Sequence, residues 1–210
     1  MKGELLNIIG LAIDELYRYF EILNRDYFES KLPDPVITIQ KTRPNNLGHF
    51  TLGKVWKNKN EESNEELSKY EININPINLN RSVEEIIGTV QHEMVHYANK
   101  LSEIKDCNGQ IHNKKFKVLA ESVGLICEKS KKYGWGFTEL SNSFKEYITE
   151  KINPKSEVFD YFRSVELKAS KTRERKTFKY VCPHCGLDVK AKPDVEVKCV
   201  KCDVLMEMEE

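Results

Sequence analysis

The sequence predicts an α+β protein: a long amino-terminal helix, a short antiparallel sheet, a second long helix and, after a link, a small four-cysteine module. Three features predict it. Apolar residues recur at three- and four-residue steps over residues 10–30 and again from 83 to 101, the period of helices with one buried face. Between them, residues 36–40 and 70–75 alternate apolar and polar side chains and are rich in Ile, Val and Thr, as half-buried strands are. The carboxyl end carries two Cys-x-x-Cys pairs, which call for a metal rather than an apolar core.

A chain of 210 residues suffices for one main core and a small appendage. The expected division is a main domain over 1–150, a link with a basic stretch over 151–176, and the four-cysteine module over 177–207. Hydrophobic residues at 40% and charged residues at 31% describe a soluble globular chain, with no apolar run near the ~18 residues of a membrane span. Asp14, Glu15 and Arg18 interrupt the amino end too early for an export signal, so a cytoplasmic protein is expected, and a monomer. Formal net charge is zero, so any contact with nucleic acid must be local. The six cysteines are expected to stay reduced.

In the first helix, Leu11, Ile13, Leu16, Tyr17, Phe20, Leu23 and Phe28 form a broad apolar face, and Leu32-Pro33-Asp34-Pro35 ends it. Strand 36–40 follows, then a second strand region over 47–52 and 54–56 bent at Gly53, a polar acidic loop over 58–66, and strand 70–75. An extended peptide could add to an exposed edge of such a sheet, although the sequence does not say which edge. His49 reads as a half-exposed strand residue and is left out of the site.

The next helix organises the chain. Ser82 with Glu85 three residues on makes a capping box, and Val83, Ile87, Val90, Met94, Ala98 and Leu101 form its core stripe. On another face lies His92-Glu93-Met94-Val95-His96, the pattern His-Glu-x-x-His. Histidines four apart project one turn above each other and can bind one zinc ion. Glu93 lies about 100° round the helix from His92, placed to act as general base on a water beside the ion. A shuffled chain of this composition would show the pattern about one time in a hundred. Gly88 and Thr89, one turn earlier, leave space above the metal.

After a polar loop over 102–110, Phe116, Leu119 and Ala120 recur at helical spacing with Gly124 as a cap, which puts His112 at the amino end of a further helix. A catalytic zinc takes three protein ligands and keeps one open position, and His112 is the expected third ligand. Cys107 could fill the open position, or be a plain loop thiol; Cys127 reads as a core residue. Tyr133-Gly134-Trp135-Gly136-Phe137 reads as an aromatic-glycine turn. With Lys114, Lys115, Lys117, Lys129, Lys131 and Lys132 it makes a candidate nucleic-acid surface over 114–137, the alternatives being a packed turn and a solvated charge run.

Residues 150–166 lack periodicity and read as the link. Lys168, Lys171, Arg173, Arg175, Lys176 and Lys179, leading into Phe178 and Tyr180, could track a phosphate backbone and stack on bases over 168–181. Cys182, Cys185, Cys199 and Cys202, with 13 residues between the two pairs, make a closed tetrahedral structural zinc site. Residues 187–190 and 195–198 read as the two strands of its hairpin, and His184 is not expected to bind, because its knuckle already supplies two sulfurs.

Phe20-x-x-Leu23-Asn24-x-x-Tyr27-Phe28 with Leu32-Pro33, His92-Glu93-x-x-His96, His112 with Phe116, and the four-cysteine end together resemble the SprT-like family of zinc metalloproteases, which includes the Spartan DNA-protein crosslink protease. The resemblance covers nearly the whole chain. It implies a zincin-like domain followed by a zinc ribbon, with one catalytic zinc on His92, His96 and His112, Glu93 as base, and a second, structural zinc. It also implies a protein substrate attached to or near DNA, single-stranded or junction-containing, and a nucleoid-associated location if the protein is bacterial. Just after His112 the chain departs from the family, with Asn113-Lys114-Lys115 where small residues and a proline are common. Two other classes fit: a regulatory zincin that cleaves one partner, such as a repressor, without DNA, and a non-catalytic zinc and nucleic-acid binding module.

Overall fold

The computed structural model describes residues 2–59, 67–164 and 177–209, with side chains from residue 8 onward. It forms two compact units, Met1–Val165 and Glu166–Glu210. The predicted basic residues Lys168, Lys171, Arg173, Arg175 and Lys176 lie outside the described residues.

The first unit is α+β. Helix α1 (Lys2–Tyr27) starts earlier than its apolar period suggests. Leu16, Tyr19, Phe20 and Leu23 on its inner face are fully buried. In its last turn the Asn24 side chain bonds Leu32 in both directions, donating to the carbonyl at 2.8 Å and accepting from N–H at 3.1 Å. That clamp turns the chain into β1 (Val36–Ile39).

The sheet containing β1 is mixed, not antiparallel as expected. Its order is β1-β3-β2, with β3 (Glu71–Ile74) parallel to β1 and antiparallel to β2 (Gly48–Phe50). The buried Asn73 side chain explains the centre. It donates to the Gln40 carbonyl at 2.9 Å and accepts from Gln40 N–H at 2.7 Å, extending the β1–β3 pairing past the last strand residue. The second half of the predicted 47–56 strand survives only as one bridge, Trp56 with Lys69. β2 is therefore a short edge strand.

Helix α2 (Val83–Leu101) has the predicted capping box at Ser82 and Glu85. Ile87, Val90 and Met94 of its stripe are fully buried, whereas Leu101 is 40% exposed because the helix ends there, past the core. A second sheet was not foreseen. Its order is β4-β5-β7-β6, built from β4 (Cys107–Asn108), β5 (Ile111–His112), β6 (Leu125–Ser130) and β7 (Gly134–Leu140), with α3 (Lys114–Ser122) between β5 and β6. Thus the predicted aromatic-glycine turn is the start of a strand, and His112 belongs to a strand two residues before its helix. Gly124, at φ +90°, lets the chain leave α3 against Phe144 of α4 (Asn142–Tyr147).

Residues in the stretch read as a link contribute to this core: Ile152 and Phe159 are buried. Arg18 donates to the Ile152 carbonyl at 2.9 Å, and Glu15 accepts from Arg18 Nε at 2.9 Å and from Lys155 N–H at 3.1 Å. Burial raises the Glu15 carboxyl, but the Arg18 bond and charge and the Lys155 N–H outweigh it and leave it below 4.5. A depressed carboxyl stabilises the fold above its unfolded value, and that stability is lost as pH falls through the folded value. Glu15→Gln is expected to cost about 1–2 kcal/mol at neutral pH. Urea melts of variant and parent should converge as acidification carries the pH down through the depressed folded value.

In the second unit β8 (Phe178–Val181) is central between β12 (Glu207–Glu209) and β9 (Asp188–Ala191), and β10 (Lys198–Cys199) pairs with β11 (Val204–Leu205). The two predicted hairpin strands therefore pair with other partners, β9 with β8 and β10 with β11, each knuckle closing its own hairpin. Tyr180 is buried in this small core and Phe178 packs against it. Among the described residues no helix is long and apolar enough to cross a membrane.

Candidate metal centre

His92 and His96 leave α2 on one face, with ring centroids 5.0 Å apart. His112 reaches them because β5 is held on both sides, by β4 (Cys107 opposite His112) and by β7 (Gly134 opposite His112). The expected three ligands are brought together. His112 Nε2 lies 3.2 Å from His92 Nε2 and 3.1 Å from His96 Nε2. Each Nδ1 instead faces outward to its own partner: Thr138 Oγ1 at 3.0 Å for His92, Asp106 Oδ2 at 2.7 Å for His96, and the Tyr133 carbonyl at 3.2 Å for His112.

That pattern tests whether a metal fits. A carboxylate and a carbonyl only accept, so His96 and His112 carry their protons on Nδ1 and turn bare Nε2 lone pairs inward. Lone pairs at this separation repel unless a cation lies between them. Tetrahedral zinc bonds of about 2.0–2.1 Å set neighbouring nitrogens about 3.3 Å apart, close to the observed spacing. The imidazoles are consistent with zinc. Phe116 closes the site beneath, fully buried, with its ring 4.7, 4.8 and 4.5 Å from those of His92, His96 and His112.

Electrostatics agree with the geometry. Burial, then the neighbouring His96 and His112, holds His92 well below 6.5. Burial and His96 likewise bring His112 down to about 4. Both rings are neutral at pH 7, as ligands must be. For His96 burial is the largest influence and acts downward, but Asp106 and Glu93 together raise it.

Glu93 is 5% exposed. Burial pushes its carboxyl up to about 7, against the pull of His96 and of the Phe50 backbone N–H. Strand β2 comes this close because residue 48 is glycine: a Cβ there would lie 2.9 Å from the Asn73 carbonyl, 3.0 Å from Thr89 Cγ2 and 3.3 Å from Glu93 Oε1.

The sequence reading missed Asp106 and Thr138. Asp106 also accepts from the buried Asn99, three residues after His96 on the helix, at 3.2 Å. His49 faces Asn73 in the first sheet and is not in the cluster. Cys107 lies within 4.8 Å of ligand atoms of His96 and Asp106, and burial pushes its thiol up to about 12, so it is neutral there. Cys127 is buried, as expected.

In the second unit Cys182, Cys185, Cys199 and Cys202 converge, all four sulfurs within 4.8 Å of one another. Burial acts to raise the Cys182 thiol, but the N–H groups of Cys185 and His184 outweigh it and hold the thiol below its ordinary range. The cluster is compatible with a zinc ribbon, and exposed His184 is not part of it.

Around 114–137, Lys117 Nζ lies 4.1 Å and Lys129 Nζ 5.8 Å from the Trp135 ring centre, and Lys132 Nζ lies 4.8 Å from that of Tyr133. Lys114, Lys115 and Lys131 are exposed, and Phe137 is 54% exposed.

Comparison with curated proteins and with solved structures gives no match. A model of the SprT-like family matches residues 16–133, more than half of the chain, and the matched span holds His92, Glu93, His96 and His112. The chain belongs to the SprT-like family.

Proposed function

We propose that the chain is a zinc-dependent endopeptidase with a zincin-like first unit, acting on DNA-associated or DNA-crosslinked proteins. Family membership suggests a metalloprotease-like domain. The observation that carries the reading further is the convergence of three Nε2 atoms with a buried carboxyl beside them. His92, His96 and His112 would hold a zinc ion, which would supply a Lewis acid able to activate water near neutral pH and polarise a carbonyl. Glu93 would take the proton from the attacking water and return it to the leaving amine, and a carboxyl near 7 is matched to both transfers.

Substrate placement follows from β2. Leu47 accepts from Asn75 N–H at 2.9 Å and Thr51 donates to the Glu71 carbonyl at 3.0 Å, so the backbone groups of Gly48 and Phe50 between them turn toward the side of β2 that no described strand pairs with. An extended peptide pairing there runs past Glu93. The four cysteines would hold a second zinc that serves structure.

The lysines and aromatics around Trp135 favour DNA as the partner, because cations beside stacking surfaces suit a single strand. One observation favours the regulatory zincin instead. Over 177–209, Lys179, Lys190, Lys192, Lys198 and Lys201 are offset by Asp188, Asp194, Glu196, Asp203, Glu207 and Glu209, so these residues carry no cationic surplus. Intact Glu93 beside the histidines speaks against the non-catalytic module.

The test is cleavage of a DNA-binding protein by the zinc-loaded chain, with and without single- and double-stranded DNA. Cleavage that needs DNA is expected. Cleavage indifferent to DNA would leave the regulatory zincin as the better reading.

A further inference from the structure

Strand β7 lies outside the family match, yet one face of it builds the histidine cluster. Its alternate residues Gly134, Gly136, Thr138 and Leu140 point the same way, as side chains two apart on a strand do. A Cβ at Gly134, where φ is +61°, would collide with the His112 carbonyl, and one at Gly136 with His112 Nδ1. Leu140 fills the space above Gly88 of α2, within 2.7 Å of where a Cβ would stand. Between these, Thr138 meets His92, Oγ1 to Nδ1 at 3.0 Å.

Among the three outward partners Thr138 is the odd one. Asp106 and the Tyr133 carbonyl can only accept, so they dictate which nitrogen of their histidine is bare. A hydroxyl can donate as well as accept. The two tautomers of a neutral imidazole differ little in energy, so without an acceptor at Nδ1 the proton is free to move to Nε2 and block the nitrogen that faces the other two histidines. Thr138 is itself fixed in place by the hairpin: it pairs with buried Cys127 across the β6–β7 ladder.

We infer that Thr138 is a positioning residue for metal binding, accepting the Nδ1 proton of His92 so that His92 Nε2 is bare and aimed at the ion. The inference rests on the reading that His92, His96 and His112 hold zinc. It assigns a role in the site to the hairpin beyond residue 133, where the family match ends.

The experiment titrates the full chain with cobalt(II) in place of zinc. The cysteine site reports through its thiolate charge-transfer band and the histidine site through weaker ligand-field bands. Affinities are then compared for the parent, Thr138→Val and Thr138→Ser. Thr138→Val keeps the side-chain shape and removes the acceptor. It is expected to weaken the histidine site about tenfold to a hundredfold, to leave the thiolate site unchanged, and to be rescued by Thr138→Ser. Equal affinity of parent and Thr138→Val at the histidine site would overturn the inference, as would lost affinity that Ser does not restore. A parent chain with a thiolate site and no second site would instead overturn the zinc reading beneath it, a result distinct from the other two.

Discussion

Replacing Glu93 by Gln is expected to leave zinc binding intact and to cut peptide hydrolysis about a hundredfold to ten-thousandfold. The substitution is nearly isosteric. Glu93 is not among the three convergent nitrogens, so the ion loses no ligand, and the amide oxygen of Gln can still face the Phe50 N–H that now touches the carboxyl. What disappears is the ability to take a proton. The change should therefore fall on kcat rather than on KM, because the edge strand β2 that would align the substrate is untouched. Cleavage at the parental rate by a zinc-replete variant would remove Glu93 from the mechanism.

The second large effect concerns the cysteine module. Its buried apolar side chains are few, Tyr180 and Met206 beside Cys182 and Cys199, and such a core does not hold a fold of this size. Structural zinc in small modules contributes about 10–16 kcal/mol of binding energy, which is folding energy there. Cys182→Ser, or strong chelation of the parent, should collapse the amide resonances of residues 177–209 to the narrow dispersion of an unfolded chain. Resonances of the first unit in Cys182→Ser should keep theirs, because its core of buried helix and sheet residues needs no cysteine ligand. Persistence of the 177–209 resonances after metal removal would show that the module has another source of stability.

What could be read from the sequence, and what could not, divides along the range of the interactions. Helix α2 was legible because its capping box and its four-residue histidine spacing are local, fixed by the pitch of one helix. The grouping of the four cysteines was legible for the same reason, each pair lying within one knuckle. The parallel pairing of β1 with β3 was not, since it depends on where β2 lies and on the Asn73 side chain bonding Gln40, 33 residues away. Nor was Thr138, which meets His92 across 46 residues and whose strand hides behind glycines that look like a turn. Those glycines are there for space: the His112 ring and backbone occupy the volume that side chains at 134 and 136 would need. Leu101 shows the opposite error, a periodic position left 40% exposed because its helix ends where the core does.

The most direct measurement is mass-spectrometric detection of new peptide termini in an unfolded protein substrate incubated with the full chain, first metal-loaded, then after chelation, then with zinc restored. New termini that appear, vanish on chelation and return with zinc are the predicted result. A fully zinc-loaded chain, both its histidine and its cysteine sites occupied, that produces none would contradict the assignment of a peptidase to His92, Glu93, His96 and His112.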